Sequence, residues 1–195
     1  MKHRIFVLVI LISILISLPV YAAPTVDGFV GVPWGASSEQ IDQTMQEKGF
    51  SLSSASSTMR SYNGIFAGEA RVLKFRLSNN KFYEGYVCLG TANNNTGVQR
   101  LANEWTYKLN EKYGQLQKRR SLKSDNWRPV KELRPNSYGR ILYWGVKDAA
   151  SADNVQILLQ VNWINYNRDR SITNGEVDLI YRNASLEKRL AEQEY

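Results

Sequence analysis

From Asn154 to Trp163 the chain alternates side-chain character residue by residue. Val155, Ile157, Leu159, Val161 and Trp163 fall on one side, and Gln156, Gln160 and Asn162 on the other, with Leu158 the one apolar residue among them. A two-residue period sends successive side chains to opposite faces of an extended backbone, so this stretch reads as a strand with one buried face. Such a strand needs a cover for its apolar face and partners for its backbone groups, and the rest of the chain must supply both.

The partners are visible in the same period. Glu176 to Arg182 places Val177, Leu179 and Tyr181 inward, and Arg140 to Val146 reads as a further strand. In Arg71 to Leu89, Leu73, Phe75 and Leu77 alternate with Lys74 and Arg76, and Asn79-Asn80 tolerates the positive φ angles of a two-residue turn. Pairing across that turn sets Leu77 against Phe82, Phe75 against Glu84 and Leu73 against Tyr86, which puts Glu84 on the apolar face. A change of one residue in the loop turns Tyr83, Val87 and Leu89 inward instead. The Ser- and Gly-rich stretch before Gly68 predicts irregular strands at most.

Three helices are expected as cover. Ser37 followed by Gln40 is a capping box, Ile41 and Met45 form a stripe, and Gly49 suits a left-handed stop, which predicts a helix over 38–48. Asn93 to Gly97 caps a second helix whose stripe is Val98, Leu101, Ala102, Trp105 and Leu109, ending at Gly114. Asn183 or Ser185 starts a short final helix carrying Leu186 and Leu190. The predicted fold class is α+β: an antiparallel β-meander sheet packed on one side by two main helices plus a short C-terminal helix. Residues 28–114 and 115–195 are alike in outline, each a helix with a meander, without a residue-level repeat.

The amino terminus reads differently. Lys2, His3 and Arg4 precede an apolar run from Ile5 to Leu18, followed by Pro19 and the small-residue stretch Val20-Tyr21-Ala22-Ala23. That is the order of a secretory signal, with cleavage expected near Ala22, so residues 23–195 form a single exported domain, periplasmic or extracellular. The run is shorter than the roughly 20 apolar residues of a spanning helix. No later stretch is apolar enough to cross a bilayer, so no transmembrane segment is expected in the mature chain.

Composition then narrows the chemistry. His3, the sole histidine, lies in the signal, and Cys88 is the sole cysteine, so the mature chain has neither an imidazole nor an internal disulfide. Ser-His-Asp and Cys-His catalysis are excluded, and no metal or cofactor is expected. Cys88 reads as a small buried hydrophobe. Ser124-Asp125-Asn126 and Ser185-Leu-Glu-Lys188 occur in the wrong order for a serine β-lactamase, and no Lys-Thr-Gly follows. Paired carboxylates are the catalytic chemistry left open, with Glu84 as the candidate and Glu69, Asp178 or Glu176 as partner.

Charge points elsewhere. The whole chain carries 25 Lys and Arg against 18 Asp and Glu. The excess concentrates between Lys118 and Arg134, where seven basic residues face two acids. Arg119, Arg120, Lys123, Trp127, Arg128, Lys131, Arg134 and Tyr138 are the candidate binding residues, guanidinium forks for an anionic group and aromatic faces for stacking, with Arg168 and Arg170 as additions.

Phe29-Val-Gly31-Val-Pro33-Trp34-Gly35-Ala-Ser37 resembles the start of uncharacterised exported bacterial proteins with a Gly-x-Pro-Trp-Gly-x-Ser element. The resemblance implies an envelope protein with a helix-on-sheet domain and transfers no catalytic residues. The helix-then-meander halves are similar in layout to β-lactamase inhibitor-like domains, a binding fold. The expectation is a non-enzymatic exported binding or interaction domain of the bacterial cell envelope, contacting an anionic envelope component or a protein partner through the basic segment, with no nucleic acid partner. The alternatives are a carboxylate-based hydrolase of envelope glycan and a structural envelope component.

Overall fold

The structure is a computed structural model that describes residues 25–114, 118–121, 137–147, 153–166 and 172–193. The proposed signal, residues 1–22, lies outside these. Two short strands, β1 (Gly28–Phe29) and β2 (Val32–Pro33), pair across Val30 and Gly31, both at positive φ. Gly35, at φ 78°, then turns the chain into α1 (Ser38–Glu47). Trp34 covers this entry: its ring stacks on Phe82 at 5.0 Å and its Nε1 donates to the Val26 carbonyl at 3.0 Å. The capping box forms as expected, with the Ser37 side chain accepting from the Gln40 amide and the Gln40 side chain accepting from the Ser37 amide. Gly49 takes the left-handed stop at φ 78°.

Eight strands follow in one antiparallel sheet: β3 (Ser51–Ala55), β4 (Met59–Phe66), β5 (Glu69–Ser78), β6 (Lys81–Ala92), β7 (Lys118–Ser121), β8 (Ser137–Lys147), β9 (Asn154–Tyr166) and β10 (Ile172–Asn183). Their order is β3-β4-β5-β6-β10-β9-β8-β7. Helix α2 (Asn95–Tyr113) links β6 to β7, and α3 (Ala184–Glu192) ends the described chain. Each half of the sheet is a four-stranded meander, and the last strand of each meets the other at the centre. By topology each meander follows a main helix, α1 before the first and α2 before the second.

The apolar face behaves as the alternation requires. Val155, Ile157, Leu159 and Val161 are completely buried, and they join Val177, Leu179, Leu73, Phe75, Val87 and Leu89 in one cluster with Ile41 and Met45 of α1 and Val98, Ala102 and Leu109 of α2. Thus both main helices cover one face of the sheet. The short α3 is capped by Asn183, as read from the sequence, and its Ser185 hydroxyl accepts from the amide of Asn154 at the start of β9.

Three expectations are corrected. The stretch before Gly68 holds two strands, β3 and β4; β4 pairs with β5 in unbroken register, and the irregularity expected there is confined to the β3–β4 pairing, between Leu52 and Ser54. Its Ser-rich composition hid them because β3 is an edge strand exposed along its whole length and has almost no apolar face to show. The Asn79-Asn80 turn forms with φ near 50° and 55°, and Leu77 opposes Phe82, yet the next pair is Arg76 with Glu84. Tyr83 is an extra residue in β6, and this bulge sends Glu84 to the face opposite Phe75 while Val87 and Leu89 turn inward. Cys88 follows from the same shift: it is half-buried on the polar face, outside the apolar cluster.

Candidate functional site

Of the residues expected to bind, Arg119 and Arg120 lie in β7, an edge strand of the sheet, in register with Leu142 and Ile141 of β8. Tyr138 lies in β8 opposite Asn162 of β9. Lys123, Trp127, Arg128, Lys131 and Arg134 lie outside the described residues, as do Arg168 and Arg170. The two sheet edges differ sharply in charge. Three of the four β7 residues are basic, whereas β3 carries no charge at all.

The sheet face opposite α1 and α2 carries charge chemistry. Glu84 is 5% exposed and sits between two guanidinium groups: Arg76 Nη1 at 3.2 Å and Arg182, which donates to its other oxygen. The expected partners do not join it. Glu69 is on β5 and pairs with Arg71. Asp178 and Glu176 instead gather farther along the sheet, where one oxygen of each lies within 4.8 Å of the other and of the Cys88 sulfur.

This second cluster is stitched by hydrogen bonds. The Tyr86 hydroxyl donates to Asp178 Oδ1 at 2.7 Å, and the Asn162 amide donates both to Asp178 Oδ2 and to Glu176 Oε1, the latter at 3.1 Å. Gln160 in turn donates to Asn162 Oδ1 at 3.5 Å. Register explains the assembly, because Asp178 opposes Cys88 on one side and Gln160 on the other. Asp178 is only 1% exposed. Burial raises its pKa to about 6, with neighbouring Glu176 adding to the rise against the opposing Tyr86 hydrogen bond. Burial, followed by the Asp178 charge, pushes the Cys88 thiol up to about 11, so it stays protonated and is a poor nucleophile at neutral pH. The Tyr86 hydroxyl is driven upward by the same burial and the same neighbour.

A hollow opens at the end of the sheet nearest β3. It is about 790 Å3 and is bounded by the β3–β4 turn, the β5–β6 turn, the start of α1 and α3. Arg60, Arg76, Tyr83, Asn79 and Asn80 line it together with Glu187. Neither member of the Asp178–Glu176 pair reaches it. Sequence reading missed this hollow because its walls come from four separate segments; the positive-φ pair Asn79-Asn80 was the one local signal.

No protein-family model, curated protein or solved structure matches the chain.

Proposed function

We propose that the protein is an exported, non-enzymatic binding domain of the cell envelope that engages an anionic partner along the edge strand β7. The observation that carries this reading is the contrast between the two sheet edges: Lys118, Arg119 and Arg120 concentrate cations on one outer strand, and the other is neutral. A row of cations on an edge discourages pairing with another strand and leaves a surface suited to phosphate or carboxylate groups. In the sequence the basic excess continues to Arg134.

The hydrolase alternative finds less support. Glycoside hydrolysis calls for two carboxyl groups about 5–10 Å apart across an accessible cleft. Glu84 is neutralised by Arg76 and Arg182, and Asp178 is buried and bridged to Glu176 by Asn162. Among the described residues no helix is long and apolar enough to cross a membrane.

Co-sedimentation with vesicles containing phosphatidylglycerol, compared with purely zwitterionic ones, tests the reading. Arg119→Glu combined with Arg120→Glu is expected to weaken anionic binding by about tenfold or more while leaving the thermal midpoint within a few degrees. Undiminished binding by the double variant removes β7 as the contact surface.

A further inference from the structure

We propose that the hollow at the β3 end of the sheet is a second binding site, for an uncharged, polyhydroxylated ligand: an oligosaccharide. It is independent of the reading above, since β5 and β7 are five strand positions apart, about 24 Å at ordinary strand spacing. Its volume of about 790 Å3 lies within the range of small-molecule sites, about 300–1,000 Å3.

The charges in the hollow are answered within the protein. Arg60 Nε lies 3.5 Å from Asp42, an ion pair without a hydrogen bond at that nitrogen, and Arg76 Nη1 lies 3.2 Å from Glu84. Glu187 faces Arg182 at 3.8 Å. The start of α1, the other electropositive feature, is closed by Ser37 and by Asn80, whose Oδ1 accepts from the Ser38 amide at 3.0 Å. Beside it stands the Glu39 carboxylate, held down to about 2, chiefly by the Ser37 hydroxyl. An incoming anion therefore meets cations that already have carboxylate partners and one further negative charge, and an incoming cation meets two guanidinium groups. What the hollow offers is hydrogen-bonding capacity among charges that are already paired: the Ser57 hydroxyl of the β3–β4 turn, the Asn79 amide of the β5–β6 turn, and the Arg76 side chain, still 51% exposed despite its ion pair.

Tyr83 adds the flat apolar surface that sugar recognition needs. The β5–β6 ladder passes from Leu77–Phe82 directly to Arg76–Glu84, leaving Tyr83 unmatched. A two-residue turn closes the hairpin without such an insertion, so the bulge is not required by the turn. Its effect is to take Tyr83 out of the ladder and set it on the wall of the hollow. Half-buried there, it supplies an aromatic ring of the kind that packs against the C–H groups of a pyranose, and the surrounding donors and acceptors suit the sugar's hydroxyls.

The test is calorimetric titration of the purified protein with maltotriose, cellotriose and triacetylchitotriose, with trigalacturonic acid as the charged control. Saturable binding of at least one uncharged trimer is expected, weakened about tenfold or more by Tyr83→Ala and by Ser57→Trp. Ser57 is an exposed turn residue lining the hollow, so its variant obstructs the site without touching the core, and an unchanged thermal midpoint verifies the fold. Absence of saturable heat with all three uncharged trimers overturns the proposal. So does tighter binding of trigalacturonic acid, or full affinity in a correctly folded Ser57→Trp protein.

Discussion

Asp178 shows how a residue acquires properties that its sequence neighbours do not announce. Val177 and Leu179 mark the strand, and alternation alone turns Asp178 to the polar face, where a solvated carboxylate is the ordinary expectation. It is instead buried, and the groups that hold it, Tyr86 and Asn162, stand 92 and 16 positions away. Nothing local encodes that meeting; the register of three strands does. The consequence is a pH dependence with a definite sign. The folded-state pKa of about 6 exceeds the value of 3.8 in an unstructured chain, so between these values the folded form holds a proton that the unfolded form has lost. Stability therefore falls as pH rises through this window, by on the order of 3 kcal/mol in full, and stays at its lower level above the folded pKa. Glu39 acts with the opposite sign, but its depressed pKa of about 2 costs stability only as pH falls below its ordinary value near 4.5. Lowering pH from 7 to 5 should thus raise the thermal midpoint of the protein, and Asp178→Asn should flatten that response. An equal rise in the variant would assign the effect to another group.

Among the elements, β6 separates what was legible from what was not. Its turn was legible because Asn79 and Asn80 meet a local backbone requirement, and α1 was legible because Ser37 and Gln40 satisfy each other three residues apart. The bulge at Tyr83 was not, since the alternating pattern fits either side of a one-residue slip and only distant contacts choose between them. One such contact is Phe29 of β1, whose ring lies over Gly85 in the middle of β6, with Phe75 and Tyr181 around it at 5.5 and 5.3 Å. A methyl group at Gly85 would enter that ring. Two effects compete in Gly85→Ala. Relief from glycine's backbone entropy inside a strand is worth about 0.5–1 kcal/mol, whereas overpacking a closed core costs about 1–3 kcal/mol. The second should prevail, and urea unfolding should show a lower midpoint for Gly85→Ala with an unchanged slope. A midpoint at or above that of the parent protein would mean that Phe29 does not depend on the glycine.

At the scale of the whole molecule the two meanders are coupled too closely to be separate domains. β6 and β10 pair at the centre of the sheet from Glu84–Arg182 to Ala92–Gly175, so separating the halves would bare the full length of two apolar strands. Helix α2 reinforces the seam. Trp105 stacks on Phe66 of the first meander at 6.4 Å, and the Tyr113 hydroxyl hydrogen-bonds that of Tyr181 of the second at 2.9 Å. The apolar cluster runs without a break from Ile41 in α1 to Val161 in β9. The outline of two similar halves could be read from the order of helices and strands, but their mutual dependence could not, because it resides in a pairing between strands some 90 residues apart. Expressed separately, residues 25–92 and 93–195 should each lack a cooperative thermal transition, for each would keep its strand pattern while losing the cover for β6 or β10. Mixing the two should restore the near-ultraviolet dichroism of the intact chain. A sharp transition in either fragment alone would establish an autonomous domain and reduce the central pairing to a docking contact between finished halves.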